Sequence, residues 1–291
     1  MRTKPVSLIE AASEPLALRR VDAERIGDLA AEALTAELDA WPKPGLVSPL
    51  DNGSHEDMDY ATFERSIAAL RPYYADLAIA GAAQVGMDEL RRIGRMAEEA
   101  MLAATGGVNT HRGAIFALGL LSAATGAAIA TSKPISVDLL TTTVAQRWGQ
   151  DIRRGPIPLN SHGSGALRRF SAGGARAEAA AGFPHARNVG LPALRAGRLL
   201  ADEEAARVHA FFALLASMED TNLLHRGGLD GLALARRDAQ DFMDAGSVGR
   251  PDWLDHAMAI HRRFVTRCLS PGGAADLLAV TIFLDALEGM S

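Results

Sequence analysis

Glu37 is the first residue whose position asks for chemistry. It falls four residues after Ala33 and seven after Ala30, on the apolar stripe of its segment. A carboxylate there must be paired, bound to a metal, or reach solvent where the helix ends near Trp41. The loop that follows carries "HEDMD", with His55, Asp57 and Asp59 at alternate positions. Alternate residues of an extended segment share a side, so two carboxylates and an imidazole could meet one cation. Such a set suits Mg²⁺, which takes one or two carboxylates plus substrate phosphates. The competing reading is an acidic helix start favoured by the helix dipole. The residue order of an EF-hand is missing.

Basic, glycine-rich turns complement these acids. "GGVNTHRGAIFALGLL" (Gly106–Leu121) ends one helix at a glycine pair and opens another, with Asn109 or Thr110 as its cap. The free N–H groups of such a turn attract anions, and Arg112 adds charge. "HRGG" sets Arg226 beside glycines, and "SPGG" offers Ser270 as a cap with Pro271 at the first helical position. Asp276 reads there as a first-turn partner of the dipole. Acids paired with basic turns are what a nucleoside triphosphate and Mg²⁺ require. No Walker, Rossmann or kinase signature accompanies them. Read from residues alone, the chain is an all-α enzyme with phosphate-binding turns.

The other histidines say less. His256 and His261 are five apart, the wrong spacing for a zinc helix, and His209 reads as a satisfied core residue. His162 in "NSHG" and His185 in "FPHA" lie in loops. The lone cysteine, Cys268, excludes an internal disulfide framework, fits a reducing cytoplasm, and reads as a buried apolar residue. With 48% apolar and 22% charged residues, the chain has the composition of a soluble globular protein. A net charge of −5 speaks against nucleic acid as a partner. Glu10 and Glu14 interrupt any export signal. The stretch from Gly113 to Ser132 has no charge, yet it is rich in Ala, Gly, Ser and Thr, so a core helix is expected rather than a membrane span.

The elements that must position these residues are helical. Apolar residues recur at three- and four-residue steps over Ile26–Leu38, Leu90–Met101, Val208–Met218 and Leu277–Leu287. Thr141–Val144 is the best strand candidate, and it is isolated. Loops are expected at Trp41–Tyr60, Arg153–Gly165, Ser171–Pro184, Glu219–Gly228 and Leu269–Leu278. The expected architecture is one compact all-α catalytic domain over residues 21–291, its functional loops converging on one cleft, after an N-terminal extension of residues 1–20.

The loop blocks resemble one known family, the triphosphoribosyl-dephospho-coenzyme A synthases, which make the prosthetic-group precursor of citrate lyase and malonate decarboxylase. The matching blocks are "PKPGLV", "GSHEDM", "GGVNTHRGAIFALGLL", "GARAEAAAGFP", "DTNLLHRGG" and "SPGGAADLLA", in the family's order from Glu37 to the C-terminus. "GGVNTHRGAI" and "SHG" look more like the malonate decarboxylase branch, and His225 departs from the Ser-Arg-Gly-Gly of the citrate lyase branch. The resemblance implies transfer of the triphosphoribosyl group of ATP to the 2′-hydroxyl of 3′-dephospho-coenzyme A, with release of adenine. It carries over Lys43, His55, Asp57, Asn109, Thr110, His111, Arg112, Arg176, Glu178, Asp220, Thr221 and Arg226 as site residues. Asp57 and Asp220 of that set, together with Glu37, are expected near metal or ribose, with Glu178 a further catalytic acid. Asp57 and Asp220 are the expected Mg²⁺ ligands. Lys43, Arg112, Arg176 and Arg226 are expected on phosphate. The product would pass to an acyl-carrier-protein transferase in the cytoplasm, without nucleic acid or membrane, and a homodimer stays open. An all-α Mg²⁺-dependent phosphohydrolase and a non-catalytic helical partner of an acyl-carrier subunit are the alternatives.

Overall fold

The computed structural model describes residues 18–155 and 172–290. His162 and most of the N-terminal extension lie outside the described residues. Among the described residues twelve α-helices run in order: α1 (Arg20–Asp39), α2 (Tyr60–Ala82), α3 (Met87–Ala104), α4 (Arg112–Ala130), α5 (Val137–Arg147), α6 (Gly149–Arg154), α7 (Gly174–Ala180), α8 (Leu191–Leu200), α9 (Glu203–Ser217), α10 (Thr221–Asp244), α11 (Trp253–Thr266) and α12 (Gly272–Glu288). No strand occurs among the described residues. The expected strand at Thr141–Val144 lies inside α5. Its β-branched residues tolerate the helix because Thr141 Oγ1 donates back to the Val137 carbonyl (2.8 Å) while Thr141 and Val144 are buried.

At the centre stands α4, packed against α1, α2, α3, α5 and α12. It is long and apolar enough to cross a membrane, but 83% of that stretch is buried among the other helices. Small residues bring α2 and α4 close. A Cβ on Gly81 would overlap the Ala123 carbonyl oxygen, and one on Gly126 would overlap that of Ala78. Ser122 and Thr125 return their hydroxyls to the Leu118 and Leu121 carbonyls (2.8 and 2.9 Å), so neither hydroxyl is stranded.

Several expected loops hold helix: α7 (Gly174–Ala180) lies within the loop expected at Ser171–Pro184, and α12 starts at Gly272 within the one expected at Leu269–Leu278. The stretch Glu219–Gly228 is mostly helix: α10 starts at Thr221, and its break comes later, at Gly228, with φ 62° and ψ −158°. Cys268 is exposed rather than buried, because it takes a left-handed conformation (φ 53°) in the turn that ends α11. At the opposite extreme, Gly106 and Gly107 (φ 70° and 93°) stop α3 as their sequence implies.

The close α2–α4 contact is testable. Gly126→Ala should lower stability by about 1–3 kcal/mol through overpacking. Gly94→Ala, within α3 where a Cβ meets nothing, should be neutral or gain up to about 1 kcal/mol in helix propensity. Urea denaturation of both variants reads the difference, and equal midpoints would mean that the two helices can part at little cost.

Candidate active site where helix ends converge

The C-terminal end of α1 meets the N-terminal ends of α4, α10 and α12, and each brings a polar side chain into the interior. Glu37, in the last turn of α1, is buried and paired with Lys43, whose Nζ donates to the Glu37 carboxylate (2.5 Å) and to the Glu37 carbonyl. Of the three readings open for Glu37, pairing is the one observed. Lys43 is 1% exposed. Its ammonium neutralises Glu37 and closes the end of α1, so in this arrangement it does not reach a phosphate.

Asp220 is wholly buried and accepts from the Asn222 and Leu223 N–H groups through Oδ1 (2.8 and 3.1 Å), capping α10. Its Oδ2 accepts from the Ala274 N–H (2.9 Å) in the first turn of α12. One carboxylate thus caps two helices, a role expected of Ser270 for α12. Burial raises the Asp220 carboxyl pKa, while the N–H groups of Ala274, Leu223, Asn222 and Gly273 pull it down. With both oxygens committed to backbone N–H groups, Asp220 does not fit a shared metal with Asp57. Among the described residues no group of three or more His, Cys, Asp or Glu could hold a metal ion.

Asp276 is the acid the motifs did not assign. It lies in the second turn of α12, only partly exposed, and occupies the space of the missing Gly113 side chain at the mouth of α4. Burial first, then the charges of Glu37 and Asp220, push its carboxyl well above the ordinary range, opposed by a hydrogen bond from the Ala114 N–H. Tyr74, buried in α2, is raised by burial and by Asp276, and its hydroxyl has no hydrogen-bond partner. His111 stands at the N-cap position of α4, buried, with Nδ1 2.7 Å from Ser66 Oγ, to which Thr110 Oγ1 also donates (2.8 Å). Burial and the Lys43 charge push His111 down to about 3, so it is neutral at physiological pH, and its Nε2 has no partner. Asn109 Oδ1 accepts from the Arg112 N–H (3.1 Å), the capping role the turn suggested.

A second group adjoins this chamber through the start of α12. His55 Nε2 lies 2.8 Å from the buried Ser270 Oγ, and Arg226 Nη2 lies 3.3 Å from His55 Nδ1. A guanidinium only donates, so Nδ1 accepts and the imidazole proton sits on Nε2, directed at Ser270. Burial, then the Arg226 charge, lowers the His55 pKa, with Asp57 acting the other way. Arg226 also donates to the Ser54 and Cys268 carbonyls (3.3 and 3.1 Å), tying α10 to the loop 40–59. Asp57 itself is exposed, 3.7 Å from His55 Nδ1, and Asp59 caps α2 by accepting from the Thr62 N–H (2.8 Å). The alternate acids therefore divide between a solvent-facing carboxylate and a helix cap rather than converging on one cation.

The remaining expected residues flank the chamber. Thr221 abuts Gly174 at the start of α7. Glu178 accepts from the His185 N–H (2.7 Å) and faces its Nδ1 (2.8 Å), raising the His185 pKa. Arg176 donates to the Ile152 and Gly155 carbonyls. Arg112 is paired with Glu98 of α3, a partner no motif signalled. His209 is satisfied by Ser247 (2.8 Å), and His261 braces the loop through Gly45 and Asp51.

The Glu37–Lys43 pair yields a stability test. Lys43→Ala leaves a buried carboxyl without its counter-charge and should cost about 3–5 kcal/mol. The double variant Glu37→Gln, Lys43→Met should recover most of that loss in urea denaturation, and a double variant as unstable as the single one would show that Lys43 matters for packing alone.

Comparison with known proteins places the chain in context. The family profile CitG, ATP:dephospho-CoA triphosphoribosyl transferase, matches residues 23–291. A 2-(5″-triphosphoribosyl)-3′-dephosphocoenzyme-A synthase of Klebsiella pneumoniae is 39% identical over 286 residues, 94% of this chain and 95% of its own. Probable synthases of the same name from Azotobacter vinelandii and Acinetobacter calcoaceticus are 41% identical (92% of this chain, 93% of the relative) and 38% identical (91% and 92%). No solved structure matches the chain at a significant level.

Proposed function

We infer the function of this chain from a plain premise: it belongs to the CitG family of ATP:dephospho-CoA triphosphoribosyl transferases. It is a transferase that moves the 5-triphosphoribosyl group of ATP to the 2′-hydroxyl of 3′-dephospho-coenzyme A and releases adenine. The observation that carries the site assignment is the convergence of Glu37, Asp220 and Asp276 beside the N-terminus of α4.

Breaking the bond from ribose C1 to adenine N9 builds positive charge on the ribose, and negative groups held in a low-dielectric interior stabilise that charge. Asp220 is the buried acid placed to supply that field, since Glu37 is paired with Lys43. Asp220 is fixed by four backbone N–H groups and needs no rearrangement when the charge develops. The triphosphate stays on the transferred sugar, so its binding groups hold it without attacking it. The turn Asn109–Arg112 with its helix N-terminus, and Arg226 with the His55–Ser270 pair, are our candidates for that task. Magnesium enters this reading with ATP as part of the substrate, since of its two expected ligands Asp220 is committed elsewhere and only Asp57 faces solvent. The use of ATP puts the reaction in the cytoplasm. We further assign the chain to the malonate decarboxylase branch, on Gly106–Ile115 and His225, with an acyl-carrier-protein transferase taking the product. A homodimer is compatible with this reading, and sedimentation would measure it.

Chromatography of a reaction containing ATP, Mg²⁺ and 3′-dephospho-coenzyme A should show adenine, formed in step with the triphosphoribosyl product. Omitting the acceptor or chelating Mg²⁺ should abolish both. Inorganic phosphate in place of adenine would replace this reading with a phosphohydrolase.

A further inference from the structure

Three buried or half-buried carboxyls share one chamber with a single ammonium. Lys43 is spent on Glu37. Asp220 is held by backbone N–H groups of α10 and α12. Asp276 alone has only one such partner, the Ala114 N–H, and it faces the other two acids. Like charges this close do not all ionise, and the least compensated member keeps its proton. Asp276 is also the member with access from outside, since Glu37 and Asp220 are 5% and 0% exposed.

Two further observations mark the chamber as a place for a ligand rather than as a helix cap alone. Tyr74 Oη and His111 Nε2 are buried without hydrogen-bond partners, on side chains 1% and 3% exposed, and each feels a charge of this cluster (Asp276 and Lys43). Buried polar groups are nearly always satisfied, so such atoms call for a partner. The Asp276 carboxyl also fills the space that Gly113 leaves, so a side chain at 113 would displace it.

We propose that Asp276 carries a proton into the reaction and donates it to the adenine ring as the C1–N9 bond breaks. The assignment rests on the transferase reading above. In the step, the bonding pair of C1–N9 moves onto the purine, and the Asp276 proton goes to a ring nitrogen, so adenine leaves neutral. The 2′-oxygen of the acceptor bonds to C1, and its proton enters the same carboxyl cluster and restores Asp276. One proton leaves the hydroxyl and one arrives on adenine. The ionisable groups that act on Asp276 are Glu37 from α1, Tyr74 from α2 and Asp220 at the start of α10, while Lys43 is held on Glu37 and acts on His111 at the start of α4. Burial first, and then the charges of Glu37 and Asp220, keep the proton on Asp276, and the Lys43 ammonium offsets part of the Glu37 contribution.

The test compares wild type and Asp276→Asn on ATP, 7-deaza-ATP and 3-deaza-ATP, each with 3′-dephospho-coenzyme A, scoring release of the base. Asp276→Asn should slow release from ATP by about 10²-fold or more, the scale of a lost general acid. Wild type should be slowed comparably by whichever analogue lacks the accepting nitrogen, and the variant should lose little more on that analogue. The alkaline limb of the wild-type pH–rate profile should vanish in the variant, while ATP binding stays within about threefold. The Asn variant should melt no lower than wild type at neutral pH. Asp276 is pushed up in the folded chain, so its ionisation costs stability as pH rises above the ordinary carboxylate value, and Asn removes that cost. If the variant does not fold, the wild-type analogue series and its alkaline limb decide alone. Full activity of Asp276→Asn, an equal fold-loss on all three nucleotides, or wild-type indifference to both analogues overturns the assignment. Wild type that forms no adenine at all overturns the transferase reading itself.

Discussion

Asp220 is the constraint on which the site depends. A single buried carboxylate accepts from the first turns of two helices that are more than fifty residues apart in sequence. Without it, the positive ends of α10 and α12 would lie side by side with unpaired N–H groups in the interior. With it, the two ends are fixed to each other, and every group mounted near them inherits that position. Thr221, Arg226, Ser270 and Asp276 all sit within a few residues of this joint.

The polar interior is built at the expense of ordinary core economy. A carboxyl such as Glu37 survives burial only because Lys43 reaches it, and the ammonium survives only because it also meets the Glu37 carbonyl. His111 is tolerated as a neutral ring with one nitrogen bonded to Ser66. Around this the helices are packed with alanine, glycine and short hydroxyl residues that return their bonds to their own turns. The apolar scaffold supplies the stability that the polar chamber gives up.

The helical architecture is legible in the sequence because amphipathic stripes are local. The stripe that singles out Glu37 leaves pairing, a metal or solvent open, and the structure shows a buried pair with Lys43. The same test fits Asp276, four residues before Val280 and seven before Phe283, but its place near the start of a helix gives it a simpler explanation as a dipole partner. Lys43 could not be assigned from its loop, since the partner that claims it lies on the preceding helix. Arg112 has the same history, its charge being taken by Glu98 of α3. Asp57 and Asp59 share a side only if the loop is extended, and the capping of α2 by Asp59 ends that extension. Local rules find the polar residues, and long-range pairing decides which of them are free to act.

The glycine-mediated contact of α2 and α4 has a consequence for the motions of the chamber. Where backbones touch without intervening side chains, neither helix can slide or fray without losing the whole contact at once. The amide hydrogens in the middle of α4 are therefore tied to global unfolding, and their exchange with solvent deuterium belongs to the slowest class in the molecule. The close α2–α4 contact thus gives a tightly packed floor beneath His111 and Gly113. Any breathing that admits a nucleotide must come from the loops above it.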